Sequence, residues 1–390
     1  MRSNALFLAL AIVAMAPPAF SADDIDPSTG LATTTVVRPL RDAPATPQPP
    51  QFGPLPPPAA AKPHIALILP IASTALGPVA DAVRQGFVAA AEAGSNKTAP
   101  PVVLMNVNDD GPAMLEACRK AHSMGAVLVV AGLTRDGASA IAKSDCPRVP
   151  VLTLNQTHGA NDAVTGEAPV NLYSISLSLE QEARQAALLA VADGWHSAIV
   201  IGTASPISKR VQEAFEKEWA RAAGEIGGRV TYSGNSEEAP LVKDRIASLR
   251  GGDVVFLALG QAAARAVRPY VSGMLPVYAT SMSIDPRAEP TVNVDLQGMR
   301  YMDMPWFVQP DHPAVMIYPA PHAPMSVDQE RLYALGIDAY RLAAVMLQSD
   351  AKKISLDGVT GRITLEGGQF ARTLTAAEVD GGRVVPIKHP

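Results

Sequence analysis

The chain has 390 residues and carries 32 lysines and arginines against 37 aspartates and glutamates, a formal net charge of −5. A mildly acidic chain without a basic run argues against partners such as nucleic acid and anionic membrane surfaces. The length suits one large domain or two moderate ones, because a domain typically has about 100–200 residues.

The first 21 residues have the layout of a secretory signal peptide. Arg2 precedes an apolar run from Ala5 to Ala16, and Ala19-Phe20-Ser21 supplies small residues for a cleavage point. The run is shorter than the ~20 residues of a transmembrane helix, so it predicts export. A lipoprotein requires a cysteine at the cleavage point, and none stands there. We therefore expect a soluble exported protein without a transmembrane anchor.

Residues 22–62 are rich in proline and poor in large apolar side chains, with eight prolines between Pro44 and Pro58. This composition predicts a disordered or polyproline-like tether. Its use is open between a simple spacer and a partner-binding motif.

After residue 62, short apolar runs alternate with helical stretches. Continuous apolar strands between helices are typical of a parallel sheet buried on both faces, so we predict an α/β fold. Pro78 is expected to open the first helix, and Ser178 with Gln181 to cap a helix that ends at Asp193-Gly194. The predicted strands are 64–70, 102–108, 126–132, 150–156, 197–203, 229–234, 253–260 and 276–281.

The predicted strands form two batches, separated by NLYSISLS (171–178). This segment and GMRYMDMPWFV (298–308) are typical of strands that cross between lobes. We predict a two-lobed type I periplasmic-binding-protein fold, in which crossover strands join two lobes, each a mainly parallel sheet flanked by helices. Turn residues between alternating apolar residues predict β-hairpins in the tail. The expected bounds are 63–390 for the domain, about 63–172 and 303–375 for lobe 1, and about 173–302 plus the C-terminal end for lobe 2.

Cys118 and Cys146 are the two cysteines of the chain. An even pair in an exported protein favours a disulfide, which in the chain-entropy model stabilises the fold by roughly 3–4 kcal/mol. Two buried free thiols are the alternative. The spacing excludes a C-x-x-C redox motif.

The sequence lacks the common catalytic motifs that we searched for. The sequence has no G-x-S-x-G elbow and no S-x-x-K or K-T-G pair of the kind that transpeptidases and β-lactamases use. The glycines of 222–230 do not follow a strand and open a helix, so no dinucleotide-binding loop is predicted. The histidines are scattered, and we predict no metal site and no cofactor. The chain is therefore predicted not to be an enzyme.

A ligand-binding cleft is predicted at the carboxyl ends of the strands, where open α/β sheets bind their ligands. The side chains expected there are polar and uncharged, which suits hydrogen bonding to a small ligand. The alternative is that they satisfy loop backbone and line a groove that holds only water. The candidates are Ser73, Thr134, Asn155, Gln156, Thr157, Ser205 and Ser281.

The segment ERLYALGIDAYRLAAVML (330–347) is predicted to be a helix packed on two sides, because it carries two apolar stripes. Asp338 lies at the edge of the leucine stripe, and no partner motif supplies a nucleophile or base for it. We expect it to bind a neighbouring loop or to pair with Arg331 or Arg341. For Asp303, a structural hydrogen bond and a ligand contact stay open.

Several segments occur together in one order and resemble the C-terminal domain of the LppC/LpoA-type penicillin-binding protein activators. R-L-Y-A-x-G-I-D-A within 331–339 and L-S-x-E-x-E-A-R within 177–184 are the most specific motifs. The resemblance covers roughly residues 64–387. It implies the type I periplasmic-binding-protein fold, a periplasmic location and, as partner, a bifunctional penicillin-binding protein, the peptidoglycan synthase that such activators stimulate.

Two functions follow from these observations. The first is a non-enzymatic periplasmic regulator that binds and activates a peptidoglycan synthase. The second is a soluble substrate-binding protein of an ABC-type uptake system, which closes around an amino acid or a similar small polar solute. The lone bilobed domain without a lipidation cysteine favours the second function, and the family resemblance favours the first.

Overall fold

The structure of the protein is a computed structural model, and the predicted signal peptide lies outside the residues that it describes. Nearly all of the predicted tether lies outside them as well. The described residues are 62–94, 99–157, 170–249, 251–349 and 354–387.

Apolar runs form the strands of two sheets, as the sequence pattern predicts. The described strands are β1 (His64–Leu69), β2 (Val102–Asn106), β3 (Ala126–Ala131), β4 (Val151–Thr153), β5 (Leu172–Ile175), β6 (Ser197–Gly202), β7 (Glu225–Thr231), β8 (Val254–Ala258), β9 (Val277–Thr280), β10 (Met299–Asp303), β11 (Ser355–Gly358), β12 (Gly361–Glu366), β13 (Gln369–Thr373), β14 (Thr375–Asp380) and β15 (Arg383–Pro386).

Helices connect most of these strands, and their ends carry the predicted signals. Pro78 lies in the first turn of the first helix, and the Ser178 side chain accepts a hydrogen bond from the Gln181 N–H at the start of the fourth. The described helices are α1 (Gly77–Ala93), α2 (Pro112–Ser123), α3 (Arg135–Ala142), α4 (Leu179–Ala192), α5 (Pro206–Arg221), α6 (Leu241–Ala247), α7 (Gln261–Val267), α8 (Pro290–Asn293), α9 (Pro305–Val308), α10 (Pro313–Met316) and α11 (Val327–Met346).

Both sheets are mainly parallel. The first has the order β11-β12-β13-β5-β4-β3-β1-β2, and the second has the order β15-β14-β10-β9-β8-β6-β7. The strands β1 to β5 pair in parallel, and so do β6 to β10. The tail adds the predicted hairpins, because β11-β12-β13 and β14-β15 are antiparallel. The predicted α/β fold class is confirmed.

The chain passes between the two sheets three times. It leaves the first sheet after β5, returns from the second after β10, and passes again between β13 and β14 through Leu374. The polar residues at these three crossings therefore lie where one sheet gives way to the other. Hydrophobic clusters cover both faces of each sheet.

Strand β7 begins four residues before its predicted start, at Glu225 instead of Arg229. The extra residues pair with β6, where Ser197 aligns with Glu225. This part of the strand contains two glycines, so a search for apolar runs does not detect it. Glycine is nevertheless required there. A Cβ on Gly227 would lie 1.9 Å from the carbonyl oxygen of Gly251.

Helix α11 is packed on two sides, as its two stripes predict. Against α1 it makes a close helix contact at two glycines. A Cβ on Gly336 would lie 2.1 Å from the Val83 carbonyl oxygen, and a Cβ on Gly86 would lie 1.8 Å from the Tyr333 carbonyl oxygen. Beside this contact the rings of Phe87 and Tyr340 meet edge to face, with centroids 5.3 Å apart. The second stripe enters the core of the first sheet with Leu335 and Leu342.

The structure contains the disulfide between Cys118 and Cys146. It joins α2 to the loop before β4, and both cysteines are buried in the core between α2 and the first sheet. A helix of the length and apolar character needed to cross a membrane does not occur in the described parts of the chain.

Candidate functional site

The first-lobe cleft candidates lie in loops after β1, β3 and β4, and most of their side chains bond to their own loops. The Thr134 hydroxyl accepts a hydrogen bond from the Gly137 N–H and so caps α3. The same hydroxyl donates to Asp110 Oδ2 at 2.9 Å, which ties the loop after β3 to the loop after β2. Ser73 accepts from the N–H of Leu76 at 3.2 Å. Thr134 and Ser73 thus stabilise local backbone.

Asn155 and Gln156 follow β4 and differ in how they are satisfied. The Asn155 amide donates to the Leu133 carbonyl at 3.0 Å and accepts from the Gln156 N–H at 2.9 Å. Gln156 is buried, and its Oε1 accepts no hydrogen bond from the described residues. Thr157, half-buried, follows it. The Gln156 amide oxygen is therefore the acceptor in this group that the described chain does not satisfy.

In the second lobe, Ser205 and Ser281 occupy helix starts. The Ser205 hydroxyl accepts from the Ser208 N–H at 3.3 Å and caps α5. Ser281 is buried, and its N–H donates to Glu182 Oε2 at 2.9 Å. Binding of a ligand by any of the seven candidates remains a proposal.

An ion-pair network joins the two lobes across this region, and the sequence analysis missed it. Glu180 lies in the first turn of α4, on the second-lobe side. Its Oε1 accepts from Arg135 Nη2 of α3 at 2.9 Å and from Arg210 Nε of α5 at 3.0 Å. The Ser178 hydroxyl donates to the other oxygen at 3.0 Å. One buried carboxylate therefore links an arginine of each lobe.

The pKa of Glu180 makes this link sensitive to acid. Burial raises the pKa of this carboxyl, but hydrogen bonds from its own backbone N–H, from Arg135 and from Ser178 outweigh burial and hold the pKa at about 2, below its usual 4.5. Because the folded-state pKa lies below the unfolded value, the stabilisation is complete above that usual value and is lost as the pH falls towards 2. The difference corresponds to at most about 3 kcal/mol of stability, because both arginines are partly exposed and solvent screens their charges.

Glu180→Gln is expected to remove most of this stabilisation at neutral pH and to flatten the loss of stability between pH 4.5 and pH 2. Urea unfolding at a series of pH values measures both effects. Asp145→Asn is the matched control, since it opens the exposed Arg148–Asp145 pair and should cost under about 1 kcal/mol. Equal acid profiles for the two variants would refute the assignment.

A second link between the lobes uses Glu330 of α11. Its Oε1 accepts from Arg287 Nη2 at 2.5 Å and from the Trp306 indole N–H at 2.8 Å. Arg287 follows β9 in the second lobe and lies over the ring of Phe307 at 5.0 Å from its centroid. The lobes are therefore bridged by charge-assisted bonds at two separate places.

Four charged side chains are buried together at the crossings, and we call them the crossover cluster: Glu182, Asp303, Arg331 and Arg372. Asp303 ends β10 and forms a two-bond ion pair with Arg331, with Nη2 2.9 Å from Oδ2. Arg372 donates to the Ser176 carbonyl at 2.9 Å and to the Thr360 carbonyl at 3.0 Å.

Each member of the crossover cluster comes from an element at a crossing: α4, β10, α11 or β13. Burial raises the pKa of Glu182, while nearby Arg331 opposes the rise and nearby Asp303 adds to it. Two roles were left open for Asp303, and the structure shows the structural one, an ion pair with Arg331. The cluster fixes the chain where it changes lobes.

Asp338 is fully buried and takes the structural role predicted for it. Its carboxylate accepts from the Val359 N–H at 3.1 Å and from the N–H and hydroxyl of Thr360 at 2.7 Å each. Arg341 is the arginine that pairs with it, at 3.2 Å, while Arg331 pairs with Asp303. The aspartate therefore holds the turn between β11 and β12 against α11.

Metal-ligating atoms come together at the disulfide. Cys118 Sγ lies 3.9 Å from His122 Nε2, and both belong to one group with Cys146. His122 follows Cys118 by four residues, which places both on one face of α2; the sequence analysis overlooked this spacing. The two sulfurs are bonded to each other, so the group here is a disulfide beside a histidine.

Among the cavities in the described part of the chain are three with volumes of about 430, 690 and 230 Å³. The first lies between β2 and α2, the second between α1 and the loop before α11, and the third beside the loop before β4. None of the three is lined by a cleft candidate.

Two mainly parallel sheets flanked by helices and joined by three crossings define the class of type I periplasmic-binding-like proteins. The chain belongs to the LppC family, described as "LppC putative lipoprotein", whose model matches residues 60–237 and 242–382.

Named relatives and solved structures agree with this assignment. "Penicillin-binding protein activator LpoA" of Pantoea ananatis is 25% identical over 316 residues, which are 70% of this chain and 46% of that protein. The chain thus spans about half the length of the curated relatives it matches.

Two solved structures share the fold. One, "a putative branched-chain amino acid ABC transporter" from Chromobacterium violaceum, is 37% identical with a TM-score of 0.69, covering 81% of this chain and all of that one. The other is the C-domain of LpoA from Haemophilus influenzae, described as a regulator of PBP1A, at 21% identity and a TM-score of 0.68, covering 83% of this chain and 100% of that one.

Proposed function

We propose that this chain is a non-enzymatic periplasmic regulator that binds and activates a bifunctional peptidoglycan synthase. The observation that carries the proposal is the LppC family match, which runs through both lobes, with relatives named penicillin-binding protein activators. Activation would follow from tighter binding to the active conformation of the synthase than to the inactive one.

The interlobe region supports docking over uptake. The Glu180 and Glu330 links bridge the two lobes through side chains of the protein itself. Thr134, Asn155 and Ser205 use their side chains to hold backbone of their own lobes. Side chains that hold their own lobes in this way are less free to bind a small solute, which supports a protein partner.

Binding to the purified synthases of the same cell tests the proposal. The protein is immobilised, each bifunctional penicillin-binding protein is passed over it, and binding is followed by interferometry. We expect saturable binding to one of them. The control is the same protein after thermal unfolding, which should not bind. Absence of binding to every bifunctional synthase of the cell would contradict the proposal.

A substrate-binding protein of an ABC-type uptake system is the second candidate function. It is supported by the 37% identity to the Chromobacterium violaceum structure and by the buried, unsatisfied amide oxygen of Gln156 at the end of β4. A thermal-shift screen of amino acids, short peptides and peptidoglycan fragments separates the two functions. A true ligand at a hundred times its Kd stabilises by about 2.7 kcal/mol, and the Gln156→Met variant should lose that shift.

A further inference from the structure

The two sheets have four edge strands, β2 and β11 in the first and β15 and β7 in the second. Proteins commonly place charged residues or proline in edge strands, because these residues prevent pairing with another chain. Three of the four edges follow this rule, with Asp357 in β11, Arg383 in β15 and Glu225 in β7. Strand β2 has the sequence VVLMN and carries neither.

The outer side of β2 presents a row of backbone groups. The Ile65 N–H donates to Pro101 O, and the Val107 N–H donates to Leu69 O. In the β2 segment, the backbone N–H and C=O groups of the odd-numbered residues therefore face β1. Because a strand alternates with a period of two, the N–H and C=O groups of Val102, Leu104 and Asn106 face away from β1. Within the described residues, β2 pairs with β1 alone.

Apolar side chains border this row on both faces of the sheet. Leu104 is 40% exposed, and Met124 at the end of α2 is 39% exposed. Val103 and Met105 lie on the α2 face and line the 430 Å³ cavity between β2 and α2. An added strand would cover these side chains as well as pair with the backbone.

The charges beside β2 are self-complementary. Glu116 and Lys120 are exposed, stand four residues apart on α2, and line the same cavity. Two antiparallel strands of one sheet are related by a two-fold axis perpendicular to that sheet, which also places the two α2 helices antiparallel on one face. With the axis near Leu104, the antiparallel α2 helix of a second copy would present its Lys120 to Glu116 and its Glu116 to Lys120.

We propose that β2 pairs with β2 of a second copy of this chain, as antiparallel strands centred on Leu104. Leu104 then lies opposite Leu104 of the second copy, and Val103 lies opposite Met105. The N–H and C=O groups of Val102, Leu104 and Asn106 are then all hydrogen-bonded to the second copy. One continuous sheet runs through both copies. Apolar cross-strand pairs and opposite charges across the seam favour this register.

Sedimentation velocity of the mature protein over a range of concentrations tests the pairing. We expect a monomer–dimer equilibrium that Leu104→Lys weakens at least about tenfold, since it places two like charges directly opposite each other. Leu241→Lys is the matched control, because Leu241 on α6 is 46% exposed and far from β2 in the fold. It should leave the dimerisation constant unchanged. A monomer at every concentration, or a dimer that Leu104→Lys does not weaken, would overturn the proposal.

A charge reversal tests the register without touching the strand. Glu116→Lys alone should weaken the dimer, because it leaves like charges facing each other across the seam. Combining Glu116→Lys with Lys120→Glu should restore the dimer to the wild-type constant. Both positions are exposed, so circular dichroism should report an unchanged fold. A dimer that is insensitive to the single reversal, or not restored by the double one, would refute the antiparallel register.

Discussion

Arg331→Met is expected to lower the free energy of unfolding by about 3–5 kcal/mol, because it leaves a buried carboxylate without its counter-charge. Asp303 is 1% exposed and, among the described residues, would keep the Met304 N–H, at 2.7 Å, as its hydrogen-bond donor, with buried Arg372 as the remaining positive charge of the cluster. Glu182, also buried, would lose the Arg331 charge, the larger of the two arginine charges that lower its pKa, and would keep that of Arg372. The change therefore removes the centre of the crossover cluster while nearly preserving side-chain length.

Urea unfolding of the purified variant measures this loss. Arg148→Met is the matched control, since it makes the same chemical change at an ion pair that is exposed, and it should cost under about 1 kcal/mol. The double variant Arg331→Met with Asp303→Leu should be less destabilised than Arg331→Met alone, because no unpaired charge is then left between these two positions. Equal stability for Arg331→Met and Arg148→Met would show that the buried pair does not hold the crossings.

Gly336→Ala is expected to destabilise the protein by about 1–3 kcal/mol, although alanine is the better helix former by about 1 kcal/mol. The added Cβ would lie 2.1 Å from the Val83 carbonyl oxygen and 2.9 Å from the Phe87 backbone nitrogen. Backbone atoms cannot rotate away as a side chain can, so α1 and α11 must move apart. Thermal unfolding followed by circular dichroism measures the effect.

Gly273→Ala is the control for this second variant. Nothing lies within 4 Å of a Cβ at Gly273, and its backbone does not have a positive φ. Alanine there should be neutral or slightly stabilising, because it restricts the unfolded chain. If Gly336→Ala melts at or above the temperature of Gly273→Ala, the close helix contact is wrong.

The fold was predictable because its signals are local and repeated. Apolar runs bounded by turn residues mark the strands, and Ser178 marks the start of α4. The two stripes on the segment 330–347 predicted burial of α11 on both sides, and two cysteines in a chain with a predicted signal peptide favoured the disulfide. The prediction missed the first four residues of β7, because Gly227 and Gly228 give no apolar signal. Their place in the strand is visible only in the pairing with β6.

The ion pairs of the interlobe region were not predictable, because their partners are far apart in sequence. Glu180 and Arg135 are 45 residues apart, and Asp303 and Arg331 are 28 apart. Each of these residues stands in an ordinary helix start or strand end. The close contact at the glycines of α1 and α11 was equally unpredictable, since a sequence gives no indication of which backbone will approach a glycine.

These contacts bear on how the protein would act. The links through Glu180 and Glu330 join the lobes, and the crossover cluster fixes the three crossings. A regulator that docks on a synthase needs a surface of defined shape. These ion pairs help to define one, because they join the two lobes. An uptake protein opens and closes its lobes around each solute molecule, and it would have to break and remake these links in every cycle.

The most direct test of the proposed function is the fraction of cross-linked peptides in peptidoglycan made in vitro from lipid-linked precursor. Each purified bifunctional synthase of the same cell is assayed with and without this protein, and the muropeptides are separated by chromatography. The account predicts a higher cross-linked fraction with one synthase, and no product when this protein is incubated with precursor alone. An unchanged cross-linked fraction with every bifunctional synthase would contradict it.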